Sequence, residues 1–459
     1  MQSADPTAVD PRMTTLSTPL RSARWTVTMT AACLLATPAL AGSGTGLQPG
    51  CTYDLRGLTP LMEQFLTVNP QFPGAGLVIQ VDGVAVYERY FGSYNENTVV
   101  AIASATKTPT SALLLALQDD GLLTLDSTVG AFIPEFRSGN LAQITVRQCV
   151  SHTSGLPANN PAISSDTLSL AQAVQQIAGV GLRRVFVPGQ GLVPVLPGTD
   201  FCYGGVSMHV SGRVAEVASG VPYAQLLSQR ILLPSGMAST FFSPGTLANP
   251  RIAGGLNSTA RDYANFLQII ADDGVRNGVR VLSETACRQL LTNQTGTVPL
   301  TCTPSFVYPD ARYGVGIWLE RTDELGNTTQ ASGIGAFGFN GWIDPQRRVV
   351  GVLMVSAGNG FQDSGAFAEQ IKAVVRQRVD AGPRPIADIV AIGGEPLPPP
   401  GPAGDGLVTG DDFVAFVRGF VVGSPIADIV RIGGDPAPDG RITGDDFIAF
   451  INAFATGCP

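Results

Sequence analysis

Ser104-Ala105-Thr106-Lys107 sets an amine three residues after a hydroxyl, in a chain with two lysines against 26 arginines. Arginine keeps its proton at any working pH, whereas a desolvated lysine gives it up. On a helix, residues i and i+3 share a face, so the amine reaches the hydroxyl. Ser-x-x-Lys is a known nucleophile pattern; the bland reading is a surface lysine on a helix. Proton shuttling needs a third group. The two histidines, His152 and His209, come without a Gly-x-Ser-x-Gly elbow, which argues against a Ser-His-Asp esterase. The alternative is a tyrosine whose pKa is lowered by a nearby ammonium.

Several elements are available to hold such a pair. Ala75–Val81 and Val84–Tyr90 flank Asp82-Gly83, a favoured two-residue hairpin turn. Residues 106–120 read as a buried helix carrying Leu113, Leu114, Leu115 and Leu117. A mixed, mostly helical stretch follows to about residue 300. Strand character returns at Tyr313–Leu319, Gly338–Ile343 and Val349–Val355, before a closing helix over Ala366–Val379. This pattern predicts an α+β fold, with one antiparallel sheet assembled from both chain ends beside a helical region.

Near residue 381 the texture changes. The cluster 381–385 reads as a linker, and the chain then repeats itself. Pro385-Ile386-Ala387-Asp388-Ile389-Val390 returns as Pro425-Ile426-Ala427-Asp428-Ile429-Val430. Asp405–Phe413 returns as Asp439–Phe447. Repetition of this fidelity marks a tandem module. From Arg384 to Pro459 there are ten Asp/Glu and four Arg, so most of the acidity sits in this tail, which suggests a cation-binding appendage.

The chain of 459 residues has a net charge of -8, which argues against a nucleic-acid partner. At roughly 100–200 residues per domain, two or three domains are expected. Arg21 and Arg24 precede a mildly apolar run, Trp25–Leu35, and then Pro38-Ala39-Leu40-Ala41. This reads as an export signal over residues 1–41, cleaved after Ala41, with Met13 as an alternative start. No later run of 18 apolar residues occurs, so no membrane span is expected after cleavage, and a secreted, periplasmic or cell-envelope location follows. Six cysteines then remain: 51, 149, 202, 287, 302 and 458. In an exported chain they suggest disulfides. Cys287 with Cys302 is the first expected pair and Cys149 with Cys202 the second.

Six ordered segments resemble the class C β-lactamase-like serine hydrolases, a family that also holds esterases, D-peptidases and penicillin-binding proteins. They are Ser104–Lys107; Asp120–Asp126 with Pro134-Glu135-Phe136; Ile144–Arg147 leading to Ser151–Pro157; Phe201-Cys202-Tyr203-Gly204-Gly205; Leu233–Met237; and Gly254–Asp262. The resemblance implies that Ser104 is the acylated nucleophile, with Lys107 and Tyr203 as its proton-handling partners. Two schemes stay open: a neutral Lys107 as base, or a charged Lys107 that makes Tyr203 the base. It also implies an oxyanion hole from the amides of Ser104 and Ala336, with Gly333 and Gly335 on the strand beside the substrate. Gly205 stands where the family's lactamases place an Asn, and Gly333 where they carry a polar residue. Those losses weaken the grip on a lactam and favour a small ester, amide or peptide. The runners-up are a β-lactamase or D-alanyl peptidase on the same triad and a non-catalytic penicillin-binding-like protein. No cofactor is implied for the chemistry. His152 and His209 read as structural residues.

The repeat pair resembles dockerin modules. Taking Gly440 as the sixth residue of a calcium loop puts Asp435 at position 1, Asp439 at 5 and Asp446 at 12, with Ala437 at position 3. The predicted organisation is therefore signal 1–41, hydrolase domain 42–380 and an EF-hand-like helical module 381–459, which binds Ca2+ or keeps its fold as a degenerate pair and in either case serves docking or sorting.

Overall fold

A computed structural model of the chain describes residues 51–243, 245–304, 311–385, 408–424, 427–430, 439 and 441–456. The export-signal segment, Cys458, Asp435 and Gly440 lie outside the described residues.

Seven antiparallel strands form the central sheet: β1 (Gly74–Val81), β2 (Val84–Gly92), β3 (Arg312–Tyr313), β4 (Trp318–Thr322), β5 (Thr328–Ile334), β6 (Asn340–Asp344) and β7 (Val349–Met354). Their order is β3-β4-β5-β6-β7-β1-β2, so early and late segments of the chain meet where β7 pairs with β1, Val349 opposite Val81. The mixed α/β architecture with a large antiparallel sheet matches the expected class. The β1–β2 turn has Asp82 and Gly83 both at positive φ, 49° and 78°, the geometry that an Asp-Gly hairpin selects.

The apolar alternation of β1 places its side chains on two faces. Leu77, Ile79 and Val81 join a core with Leu58, Met62 and Phe65 of α1 (Leu58–Val68). Val78 faces the larger core with Leu113–Leu117 of α2 (Lys107–Asp119). That core also takes Val210 and Val214 of α3 (Val206–Ser219) and Tyr263, Leu267 and Ile270 of α4 (Ala260–Ala271). The closing helix α5 (Gly360–Asp380) brings Ala368, Ile371 and Val375 onto the α1 side. Burying each such aliphatic side chain contributes about 1.5–3 kcal/mol.

Two strand expectations need correction. The Tyr313–Leu319 run is two strands, because the chain turns at Gly316, with φ 76°. There a methyl group would lie 2.0 Å from Ser111 Oγ and 2.7 Å from Lys107 O, so only glycine lets this turn sit on α2. Strand β5, Thr-Thr-Gln-Ala-Ser-Gly-Ile, has no apolar alternation to announce it. Its polar side chains are used instead: Ser332 and Gln330 hydrogen-bond Glu320.

The second lysine, Lys372, belongs to this arrangement. Its Nζ lies 2.9 Å from Glu320 and 2.9 Å from Glu369, and donates to Ser332 Oγ at 2.9 Å. It is a buried ion pair beneath the sheet.

The expected disulfides are also corrected. Cys202 bonds to Cys302, while Cys149 and Cys287 are free and buried; Cys51 is disulfide-bonded as well. Cys202 and Cys302 meet because Phe201–Cys202 and Leu300–Cys302 run side by side as short parallel strands.

The linker-like cluster is partly ordered, with Thr52 opposite Arg384. In the tail, α6 (Gly410–Val422) and α7 (Gly444–Thr456) pack through Phe416 and Phe450, whose rings stack at 4.0 Å. An ion pair from Arg89 on β2 to Asp428 ties the tail to the sheet edge.

The Asp446 carboxylate is engaged by the chain itself. Its Oδ1 accepts from the backbone N–H groups of Ile429 and Val430, and its Oδ2 from Thr443 N and Oγ1. Four donors fill the acceptor capacity of one carboxylate. Thr409 and Asp412 form the equivalent capping box on α6. Asp439 accepts from Arg441 N and donates its own N–H to Asp428. Among the described residues no cluster of three metal-ligating side chains occurs.

Candidate active site

Ser104 sits on a single 3-10 turn, Ala103–Thr106, that runs into α2. Ala103, the residue before it, has φ 44°, a left-handed conformation that costs a non-glycine residue energy and is typical of constrained sites. The turn is clamped on both sides: Ile102 N donates to Leu256 O at 3.0 Å, and Leu256 N to Thr106 Oγ1 at 3.1 Å. From α4, the Tyr263 hydroxyl donates to Ala105 O at 2.9 Å.

Lys107 is buried and reaches back along the turn. Its Nζ donates to Ser104 Oγ at 2.9 Å and to Ala253 O at 2.9 Å. Burial lowers its pKa to about 7, because the low-dielectric surroundings disfavour the ammonium. The same nitrogen lies 4.5 Å from the centroid of the Tyr203 ring. Burial pushes the Tyr203 phenol up to about 12, with the Ser104 and Trp318 side chains beside it pulling the other way. Tyr203 is fixed by an aromatic box: His152, Trp318 and Tyr313 lie 4.7, 5.1 and 5.9 Å away between ring centroids. The neighbouring disulfide holds its backbone, with Tyr203 N donating to Cys302 O at 3.2 Å.

Ser104, Lys107 and Tyr203 open into one cavity of about 350 Å³, walled also by Ile163, Gly204, Gly205, His209 and Arg251–Gly254. The triad, with Lys107 buried and Ser104 and Tyr203 half-buried, thus faces a space large enough for a small organic substrate.

The sequence profile of the Beta-lactamase family matches residues 58–376. The chain belongs to the beta-lactamase family. Among solved structures it resembles a Bacteroides dorei DSM 17855 protein with a provisional beta-lactamase assignment, 28% identical, TM-score 0.62, covering 72% of this chain and 100% of that one. EstCE1, a hydrolase with promiscuous acyltransferase activity, shares the fold at 17% identity and TM-score 0.57, covering 70% of this chain and 97% of that one. Among curated proteins, the D-alanyl-D-alanine-carboxypeptidase/endopeptidase AmpH of Escherichia coli K12 is 28% identical over 37% of this chain and 46% of that protein. Beta-lactamase-like protein 2 of Dictyostelium discoideum is 27% identical over 40% and 39%. The chain therefore spans well under two thirds of these curated relatives. Members of this beta-lactamase family are serine hydrolases in kind.

Within this beta-lactamase-family site, two of the glycines expected to line the substrate have a packing role. A methyl group on Gly333 would lie 2.3 Å from the Tyr263 hydroxyl, and one on Gly335 would lie 2.4 Å from Ile102 O. Gly333 thus packs against Tyr263 of α4 and Thr108 of α2, and Gly335 against Ile102 at the entry to the nucleophile turn; the cavity wall includes neither. Their lack of side chains lets the end of β5 and the residue after it dock against α2, α4 and Ile102. Gly205 does line the cavity, where a methyl would meet Ile163 Cδ1 at 2.6 Å. Ala336 lies in the exposed turn after β5, and its carbonyl accepts from Phe361 N. The N–H groups of Ser104 and Ala336 have no hydrogen-bond partner among the described residues.

His152 holds the loop before Tyr203: its carbonyl accepts from Cys202 N, and its Nδ1 lies 3.2 Å from Ser207 Oγ. Burial, with the Lys107 charge nearby, keeps it well below the usual imidazole range. His209 lines the cavity bonded to Asn249 at 2.7 Å, its pKa pushed down to about 4 by burial. Ala253 O and Arg251 escaped the sequence reading. They lie just before the quoted Gly254-Gly255 segment, but a carbonyl and a guanidinium carry no pattern that names their target.

Proposed function

We propose that this protein is an exported serine hydrolase that cleaves a small ester or amide through an acyl-enzyme on Ser104. The observation that carries the reading is the 2.9 Å contact between Ser104 Oγ and a buried Lys107 whose pKa lies at about 7. A neutral amine at that distance is a competent general base near neutral pH. Ser104 Oγ bonds to the substrate carbonyl carbon while its proton passes to Lys107 Nζ. The developing oxyanion is received by the amides of Ser104 and Ala336. As the carbonyl re-forms, the bond to the alcohol or amine breaks, and the leaving group takes the Tyr203 hydroxyl proton. Lys107 reprotonates Tyr203. Water then attacks the acyl-enzyme, giving its proton to Lys107 and releasing the acid, and Ser104 recovers its proton. With Tyr203 high and Lys107 low, the scheme with Lys107 as base is the better supported of the two.

A β-lactamase or D-alanyl peptidase on the same triad is the second reading, favoured by the similarity to AmpH. Gly205 in the cavity wall, which offers no side-chain amide, favours simple acyl substrates. Fluorophosphonate labelling that disappears in Ser104→Ala supports the hydrolase; an unlabelled, folded wild type would point to a non-catalytic binding protein. Rapid nitrocefin turnover without cleavage of p-nitrophenyl butyrate would favour the second reading. The export signal ending at Ala41 and a dockerin-like tail used for docking or sorting belong to the same proposal. The duplicated Thr-Gly-Asp-Asp helix starts support a paired module, with Asp446 as a cap.

A further inference from the structure

Trp318 opens β4 and is held on both sides by the sheet, opposite Tyr313 of β3 and Ser332 of β5. It is 1% exposed, and its indole Nε1 is buried without a hydrogen-bond partner among the described residues. An indole N–H can only donate. Burying a donor with no acceptor costs stability, so such groups are rare in folded chains. This one belongs to the aromatic box around Tyr203.

The neighbours narrow what the donor can serve. The indole packs against Phe201, Tyr203 and Tyr313, with ring centroids 5.8, 5.1 and 4.7 Å away. Ala311, Ile334 and Phe361 complete the cluster. Of these side chains, Tyr203 and Tyr313 carry the acceptors. Trp318 meets the Tyr313 ring edge to face, at 85°, whereas the Tyr203 ring is tilted from the indole by 33°. The indole favours the Tyr203 phenolate against the effect of burial, while Tyr313 is pushed up by burial and by the neighbouring tyrosines. A donor acts in that sense on the hydroxyl it lies beside.

We propose that Trp318 is a further catalytic residue, whose Nε1–H hydrogen-bonds the Tyr203 oxygen as Tyr203 gives its proton to the leaving group. The proposal rests on the hydrolase reading. In that step the Tyr203 O–H bond breaks as the O–H or N–H bond of the departing alcohol or amine forms. The electron pair stays on the Tyr203 oxygen until Lys107 returns a proton. Held by the sheet, the indole supplies a donor where charge develops. A hydrogen bond to a charged oxygen is stronger than one to a neutral oxygen. The contact therefore gains most in the transition state, and it raises kcat more than it lowers KM.

The test varies the leaving group while the acyl group stays constant. In the full chain, kcat/KM for p-nitrophenyl, phenyl and ethyl butyrate is compared between wild type and Trp318→Phe. Nitrophenolate departs without a proton, whereas ethoxide needs one. Trp318→Phe should lose about tenfold to a hundredfold on ethyl butyrate, the range expected for a hydrogen bond to a charged group. It should lose less on phenyl butyrate and least on p-nitrophenyl butyrate, so log kcat/KM falls more steeply with leaving-group pKa. Loss of packing alone would lower all three rates alike. Where phenylalanine lowers Tm, 3-benzothienylalanine in place of Trp318 removes the N–H, keeps the ring outline and should give the same steepening. An equal loss on all three esters, or no loss, overturns the proposal and leaves the hydrolase standing. A folded wild type that cleaves none of them and takes no fluorophosphonate label overturns the hydrolase and, with it, the role of Trp318.

Discussion

The Lys107 nitrogen lies 4.5 Å from the centroid of the Tyr203 ring, and burial acts on the two groups in opposite senses. It lowers Lys107 to about 7 and raises Tyr203 to about 12. Desolvation disfavours whichever form is charged, so at neutral pH an uncharged amine can face an uncharged phenol. That arrangement supplies a base and an acid without histidine.

The pH profile follows from this. Log kcat/KM for a neutral ester should rise with unit slope below about pH 7 as Lys107 loses its proton, then level off through the range below about 12, where Tyr203 keeps its proton. A profile flat from about pH 5 to 9 would remove Lys107 as the base. Tyr203→Phe should cut kcat by about 10²–10⁴-fold, with the fold checked by circular dichroism.

Lys107 also makes stability depend on pH. Its folded pKa of about 7 lies below the ordinary 10.5, so between these values the unfolded chain binds the extra proton. The destabilisation is full below pH 7 and is relieved as pH rises towards 10.5. Lys107→Met should therefore abolish activity, raise Tm at about pH 6, and flatten the Tm rise between about pH 7 and 10. An unchanged Tm slope would show that the buried amine is not the source.

Removal of the Cys202–Cys302 bond should cost about 2–5 kcal/mol, read as a fall in Tm of Cys202→Ser/Cys302→Ser. Because Tyr203 N bonds to Cys302 O, kcat should fall more than KM rises. A double variant with wild-type kcat would show that the bond only stabilises.

Gly335→Ala places a methyl 2.4 Å from the Ile102 carbonyl, while Gly205→Ala meets the movable end of Ile163. The first should destabilise by about 1–3 kcal/mol through overpacking and depress kcat. The second should leave Tm nearly unchanged and shift KM. Denaturant titration with steady-state kinetics distinguishes the two, and equal Tm values would refute the assignment of Gly335 to packing.

Asp446→Ala should lower the stability of the tail by about 1–2 kcal/mol, the usual cost of losing a helix cap, and by the same amount in EDTA. A loss seen only with Ca2+ present would make Asp446 a ligand.

Much of the fold was legible because its signals are local. The Asp82-Gly83 turn, the leucine-rich α2 and the apolar β7 each announce their period. Strand β5 did not, since its polar residues are satisfied by Glu320 and Lys372, groups that other elements supply. The disulfide was mispaired because sequence proximity favoured Cys287, whereas the parallel contact of two short strands brings Cys202 to Cys302.

The sequence by itself determined the nucleophile–amine spacing of Ser104 and Lys107, the tyrosine segment at 203 and the duplicated tail. Those are matters of residue type and interval along one chain. Tertiary structure decided what state the groups are in and what surrounds them. Only burial lowers Lys107 and raises Tyr203, and only folding packs Gly333 against Tyr263 and Gly335 against Ile102. Folding also surrounds the Asp446 carboxylate with donors from Ile429, Val430 and Thr443. Dielectric and unmet hydrogen-bonding capacity arise from contacts between distant segments, which no local pattern records.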